Sequence, residues 1–129
     1  MVEKQWRVLI CDDDLYDVAA QLPVPQALKI QVMDRADNCV EQVLTWQPHA
    51  VLMDFHMRSP LKGDEAVRLL RASYGQTLLI VGISSASSLN HRLQQAGANF
   101  VVPKPQVSSL LQELVMIIPA SLEPVPPLP

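Results

Sequence analysis

Short unbroken apolar runs alternate with longer amphipathic stretches along this chain. Val8-Leu9-Ile10-Cys11, Ala50-Val51-Leu52-Met53 and the segment from Leu78 to Ile83 are apolar throughout. Runs this short and this continuous predict strands covered on both faces. Leu28, Ile30 and Val32 instead alternate with Lys29 and Gln31. That alternation predicts a strand over Ala27 to Met33 with one face partly exposed, as at a sheet edge. Phe100-Val101-Val102 is a fifth, short strand.

Helical periodicity fills the gaps between these runs. Leu15 to Leu22 reads as a short helix stopped by Pro23 and Pro25, because proline lacks the N–H and clashes with the preceding turn. Asp37 or Asn38 caps a helix carrying Val40, Val43 and Leu44, and Pro48 marks its end. Phe55 to Lys62 is a loop. Gly63-Asp64-Glu65 then opens a helix with Ala66, Val67, Leu69 and Leu70 on its apolar side. Ser87 or Ser88 caps a helix that ends near Gly97. Val107 to Ile118 is the last helix, closed by Pro119. The order is β-α five times over, which implies a doubly wound α/β fold with a parallel sheet and right-handed crossovers. Residues 1–118 make one domain. The tail from 119 to 129 holds five of the eleven prolines and is expected to be extended or disordered.

Composition narrows the function classes. The chain has 129 residues, 49% hydrophobic and 18% charged, with a formal charge of −3. A core of useful size is available, and no basic field exists to draw in nucleic acid or an anionic membrane. No apolar run is long enough to span a bilayer, and the N-terminus has no apolar signal core. A cytoplasmic protein with no nucleic-acid or membrane partner is expected. Cys11 and Cys39 are too few for a disulfide framework and read as small packing residues.

The candidate chemistry lies at the carboxyl ends of the strands, where open parallel sheets bind ligands. Asp12, Asp13 and Asp14 follow the first strand, Asp54 the third, Ser84 the fourth and Lys104 the fifth. Carboxylates brought this close repel one another, and at least one takes a raised pKa. A divalent cation relieves the repulsion, and an all-oxygen donor set of this kind suits Mg²⁺. With a lysine beside them, the same groups suit phosphoryl transfer. Asp54 is a competent nucleophile, Mg²⁺ and Lys104 neutralise the transferred oxygens, and the Ser84 hydroxyl can donate to the phosphoryl group.

At these residues the chain resembles the receiver domains of two-component response regulators, of the chemotaxis-regulator type. The matching segments are Val8 to Asp14, Val51 to Met57, Ile83-Ser84-Ser85, Ala96-Gly97-Ala98 and Lys104-Pro105, within a resemblance covering about residues 6 to 118. It implies a flavodoxin-like (βα)5 fold with strand order 2-1-3-4-5. It also implies Asp54 as phosphoacceptor, Asp13 as a direct metal carboxylate and Asp12 as a partner that holds the metal through water. His56 would contribute its backbone carbonyl to the metal, Lys104 would bind phosphate ahead of a cis peptide to Pro105, and Ser84 would be the hydroxyl switch. The implied partners are a sensor histidine kinase or histidine phosphotransfer protein and a downstream protein target, with the chain acting as a stand-alone receiver.

Departures from that pattern set the alternatives. Val101 stands at the aromatic switch position, and Phe100, one residue earlier, points to the opposite face of its strand. Arg58 replaces a common proline, and Gly63 comes one residue late. The last helix carries Leu110, Leu111, Leu114, Val115, Met116, Ile117 and Ile118, more than one amphipathic face needs. That excess predicts either a homodimer or partner surface through helices four and five, or a helix end covered by the tail. The rival function is a pseudo-receiver, a phosphorylation-independent protein-interaction module. A small phosphatase or hydrolase is disfavoured, because no second general acid follows Asp54 closely and no Gly-rich phosphate loop is present.

Overall fold

The computed structural model describes residues 5–122. Five parallel strands form one sheet in the order β2-β1-β3-β4-β5. They are β1 (Trp6–Cys11), β2 (Leu28–Met33), β3 (Ala50–Met53), β4 (Leu79–Gly82) and β5 (Phe100–Val101). Five α-helices alternate with them: α1 (Asp13–Asp17), α2 (Cys39–Trp46), α3 (Gly63–Tyr74), α4 (Ser87–Ala96) and α5 (Val107–Leu122). The doubly wound arrangement and the strand order match expectation, and β2 lies at the edge as its alternation predicted. The register sets Ile10 beside Leu52 and Leu52 beside Val81, so the strand ends that carry the candidate site finish level with one another.

Side chains leave the strands on alternate faces, and two apolar cores result. Leu9, Cys11, Val51, Met53 and Ile80 pack under α2, α3 and α4, whose buried contributions include Val43, Ala66, Val67, Leu70 and Leu93. Val8, Ile10, Ala50, Leu52, Val81 and Ile83 pack on the other face against Leu110, Leu111, Leu114 and Ile118 of α5. The apolar excess of α5 is thereby largely spent on the core. Among its described residues Met116 and Leu122 are the exposed large apolar side chains, at 78% and 51%. The expectation of self-association through helices four and five rests on that small patch alone.

Cys11 and Cys39 are buried, free thiols. Burial raises both pKa values, that of Cys39 to about 11 and that of Cys11 further still, with smaller contributions from the neighbouring Cys39 and Asp12. Both therefore stay protonated and inert near neutrality.

Three helix boundaries differ from the sequence pattern. α1 starts at Asp13 and breaks at Val18, and a 3₁₀ turn over Ala19–Gln21 follows. Its start moves forward because Asp12 is an N-cap whose carboxylate accepts from the N–H groups of Asp14 and Leu15; its early end leaves Pro23 outside the helix. α4 is capped by Ala86 rather than a serine, and the Ser84 hydroxyl accepts the Ala86 N–H. α5 does not stop at Ile118 but continues through Pro119 to Leu122. Ile118 is wholly buried there, and the Ser121 hydroxyl donates to its carbonyl at 2.7 Å, which holds the turn together despite the missing proline N–H. The domain boundary predicted at 118 therefore falls inside a helix. Of the predicted tail, residues 123–129 lie outside the described residues.

Candidate functional site

Each candidate side chain is positioned by the end of a strand. Asp12 directly follows β1, and its N–H donates to the Met33 carbonyl at the end of β2. Asp54 directly follows β3, with its N–H on the Cys11 carbonyl at 3.0 Å. Ser84 comes two residues after β4 and Lys104 three residues after β5. The chain leaves the sheet at these points, so Asp54, Ser84 and Lys104 line one cleft, with Asp12 buried against it beside Lys104. That cleft has a volume of about 340 Å³ and is lined by Asp13, Asp14, Asp54, His56, Ser84, Ser85, Ala86, Leu89 and Lys104. Every residue proposed from sequence lies in or against it. His56 is exposed on its wall.

The geometry centres on the Lys104 ammonium. Its Nζ lies 2.7 Å from Asp54 Oδ2, 3.0 Å from Asp14 Oδ2 and 3.2 Å from Asp12 Oδ2. Asp54 Oδ1 accepts the Phe55 N–H at 2.8 Å, so both oxygens of that carboxylate are oriented. Asp12 Oδ1 accepts the two N–H groups of the helix start. Asp12 Oδ2, although close to the ammonium, lies off its hydrogen-bonding directions and is a buried oxygen without a hydrogen bond. One carboxylate oxygen from each of Asp12, Asp13 and Asp54 falls within a mutual 4.8 Å. Buried polar atoms are rarely left unsatisfied, and an orphaned oxygen on a carboxylate grouped with two others fits a hard divalent cation such as Mg²⁺. The donor set and that oxygen together suit the metal.

Electrostatics follow from burial. Asp12 is fully buried, and desolvation together with the nearby Asp54 charge pushes its pKa up to about 6, against the pull of Lys104. Desolvation likewise raises Asp54, opposed by its hydrogen bond to Lys104. For Lys104 burial acts downward, but the hydrogen bonds to Asp54 and Asp14 outweigh it and the pKa rises. The lysine stays charged, and the carboxylates are held in a setting that disfavours their ionisation.

A pH dependence results, and its sign is opposite to that of an ordinary ion-paired carboxylate. Between the usual aspartate value of 3.8 and about 6, the folded chain keeps a proton on Asp12 that the unfolded chain has released. Stability must then fall as pH rises through that window. Without divalent cations the chain is expected to be less stable at pH 7 than at pH 5, by about 1 kcal/mol. Mg²⁺ or the Asp12→Asn substitution should flatten the slope. Urea denaturation in a chelating buffer at the two pH values checks this, and equal midpoints would exclude a raised Asp12 pKa.

Several supporting residues carry no signal in the sequence. Gly63 packs so tightly on the Asp54 carbonyl that an added Cβ would lie 1.9 Å from its oxygen. Arg58, which stands where the family pattern commonly has proline, pairs with Asp17 at 2.5 Å and Asp34 at 3.4 Å. The Arg58 N–H also donates to the Asp34 carbonyl, so the lengthened β3–α3 loop is tied down beside the cleft. Asp14, grouped with Asp12 and Asp13 in the sequence but given no role of its own, is the second partner of Lys104. Asp64 is buried, 3.1 Å from Arg92, and the Arg92 guanidinium lies 4.7 Å over the Phe55 ring. These are long-range pairings, which a linear pattern does not encode.

One expectation from resemblance is corrected. No peptide bond among the described residues is cis, so the Lys104-Pro105 bond is trans. Pro105 takes part in a 3₁₀ turn over Lys104–Gln106 that leads into α5, and there its fixed φ suits the first helical positions. The expected division of Phe100 and Val101 holds. Phe100 packs with the α5 face and Val101 with the α4 face.

No family model and no curated protein matches the sequence. Solved structures do. The chain is similar to the response regulator domain of CheB from Thermotoga maritima, at 20% identity and a TM-score of 0.72, over 95% of this chain and 100% of that one. It is similar to the receiver domain of the sensor histidine kinase PA1611 from Pseudomonas aeruginosa, at 20% identity and a TM-score of 0.73, over 88% and 96% of the two chains. That crystal structure has a magnesium ion coordinated in its active-site cleft. A two-component system response regulator/GGDEF domain protein matches at 29% identity and a TM-score of 0.76, over 95% of this chain and 52% of its own length.

Proposed function

From the premise that this chain has the fold of response-regulator receiver domains, we propose that it accepts a phosphoryl group on Asp54 in two-component or phosphorelay signalling. The observation that carries the reading is the set of short Lys104 contacts to Asp54 and Asp12, beside three carboxylates able to share one cation. A histidine kinase or histidine phosphotransfer protein supplies the group, and a downstream protein reads the altered surface. With no helix long and apolar enough to cross a membrane among the described residues, a cytoplasmic setting is part of the same proposal.

The residues divide the work as follows. An Asp54 carboxylate oxygen attacks phosphorus; the new O–P bond forms as the donor's bond to phosphorus breaks, and the electron pair leaves with the imidazole or carboxylate leaving group. Asp54 is oriented for this by the Phe55 N–H and by Lys104. Lys104 then offsets the charge spread over the transferred oxygens. The Ser84 hydroxyl, on the wall of the cleft, donates to one of them. Asp12, Asp13 and Asp54, with the His56 carbonyl, are the proposed holders of Mg²⁺, which when bound neutralises the same oxygens and the mutual repulsion of the carboxylates.

The test is incubation with acetyl phosphate and Mg²⁺, expected to add one phosphoryl group that maps to Asp54 and is absent in EDTA. Lys104→Ala should slow that labelling by about 10²-fold, the usual effect of losing one charge-stabilising donor; an unchanged rate would remove Lys104 from the reaction. Val101 favours a second reading, the pseudo-receiver, because valine has no ring whose rotation reports the state of Ser84. Absence of both acetyl phosphate labelling and Mg²⁺-dependent beryllofluoride binding would select it.

A further inference from the structure

Asn90 is a polar residue in the middle of α4 and only 6% exposed. Asparagine is a poor helix-interior residue, and burying its amide is unfavourable unless every group finds a partner. Its partners lie outside its own helix. Oδ1 accepts the Ser84 N–H at 2.8 Å. Nδ2 donates to the Ser84 carbonyl at 2.9 Å and to the Val102 carbonyl at 3.1 Å. One N–H and two carbonyls admit a single orientation of the amide. Both backbone polar groups of Ser84 are thus held by one side chain of α4, and the same side chain grips the strand exit two residues before Lys104.

The surroundings make this clamp a route for movement. The Ser84 hydroxyl accepts the Ala86 N–H at a long 3.2 Å, a weak bond that is readily given up when the hydroxyl turns to donate to a phosphoryl oxygen. Beside the clamp a cavity of about 360 Å³, lined in part by Ser84, Ser85, Asn90, His91 and Val101, leaves room for displacement. Val101 is too small to fill that space. A second tether joins α4 to the cleft, where Arg92 stacks over Phe55, the residue next to Asp54. No other side chain hydrogen bond among those described links α4 to the end of β4.

We propose that Asn90 is the positioning residue that couples Ser84, and through it the phosphorylation state of Asp54, to the placement of α4. The coupling rests on the phosphoacceptor reading above. When the Ser84 hydroxyl turns to a phosphoryl oxygen, the Ser84-Ser85 backbone shifts, and Asn90 carries the shift into α4 through three hydrogen bonds. The output then passes by an amide clamp on a helix, without an aromatic rotor on β5.

The experiment records amide NMR spectra of the full chain with and without beryllofluoride and Mg²⁺, beside mass-mapped labelling by acetyl phosphate. In the wild type, the expected shifts include Ser84, Ser85 and the α4 amides from His91 to Gln94. Asn90→Ala should keep labelling of Asp54 within about threefold of wild type and keep the shifts at Ser84 and Ser85, but lose those from His91 to Gln94. Asn90→Asp retains the acceptor and loses both donated bonds, so it should show a reduced α4 response; it carries the comparison if the alanine variant does not fold. His91→Ala, which lines the same cavity without touching Ser84 through a clamp, should behave as wild type. An α4 response in Asn90→Ala equal to that of wild type overturns the coupling, as does an equal loss in His91→Ala. Wild-type chain that gains no phosphoryl group at Asp54 overturns the proposed function, and the coupling with it, which the mass map distinguishes from failure of the clamp alone.

Discussion

Asp54→Ala is expected to abolish labelling by acetyl phosphate in the presence of Mg²⁺, with no compensating label on a neighbour. The neighbours are carboxylates too, so the claim depends on geometry rather than on residue type. Asp12 has one oxygen committed to two backbone N–H groups and is wholly buried, which leaves a phosphoryl donor no approach to it. Asp14 is 76% exposed and free of the confinement that aligns a donor. Asp54 alone combines burial with a partner at both oxygens and the shortest contact to the lysine. Asp54→Asn is the matching control, because it retains an acceptor for the Phe55 N–H. Removing the Asp54 charge also relieves Asp12, whose raised pKa owes part of its shift to Asp54. Both variants should therefore fold and melt no lower than wild type. Persistent labelling in the folded asparagine variant would transfer the acceptor role elsewhere and end the assignment.

Gly63→Ala is expected to cost about 3 kcal/mol or more of stability, the upper range for overpacking a closed site. The added Cβ would lie 1.9 Å from the Asp54 carbonyl oxygen and 2.8 Å from both the Asp54 carbonyl carbon and the Phe55 Cα. All three obstacles are backbone, so no rotamer change relieves them. The Gly63 N–H also donates to the Phe55 carbonyl at 2.8 Å, which fixes the approach. Separating the chains to admit a methyl group would break that bond and tilt the peptide that orients Asp54. Labelling should fall together with stability. Gly75 gives the contrast, since its Cβ would meet nothing within 4 Å and only its positive φ opposes substitution. Gly75→Ala should cost about 1 kcal/mol. Urea midpoints for the two variants decide the matter; a loss at Gly63 no greater than at Gly75 would show that the loop gives way easily.

The two expectations differ in how far they could be read from the chain. Asp54 stands out in the sequence because an apolar run ends on it, and because Asp12, Asp13, Ser84 and Lys104 end or follow other runs in the same way. A parallel sheet puts such positions on one edge whatever lies between them. Gly63 reads only as the start of a helix, since its contact is with a backbone atom nine residues earlier and no residue type marks that approach. Arg58 and Asn90 are similar cases. A loop arginine and a helix asparagine look solvated until the fold brings Asp17 and Asp34 to one and Ser84 and Val102 to the other.

By itself the sequence determined the alternation of strands and helices, the edge position of β2, the inert cysteines and the residues gathered at the strand ends. Those features follow from local period and from connectivity, which a linear pattern carries in full. Only the tertiary structure decided that Asp12 caps α1, that α5 runs past Pro119 to Leu122, that Lys104-Pro105 is trans and that Asp12 keeps an orphaned oxygen. It also decided that Asn90 bridges α4 to Ser84. Each of these depends on hydrogen bonds or packing between segments far apart in the chain, and buried polar groups take whichever partner the fold supplies.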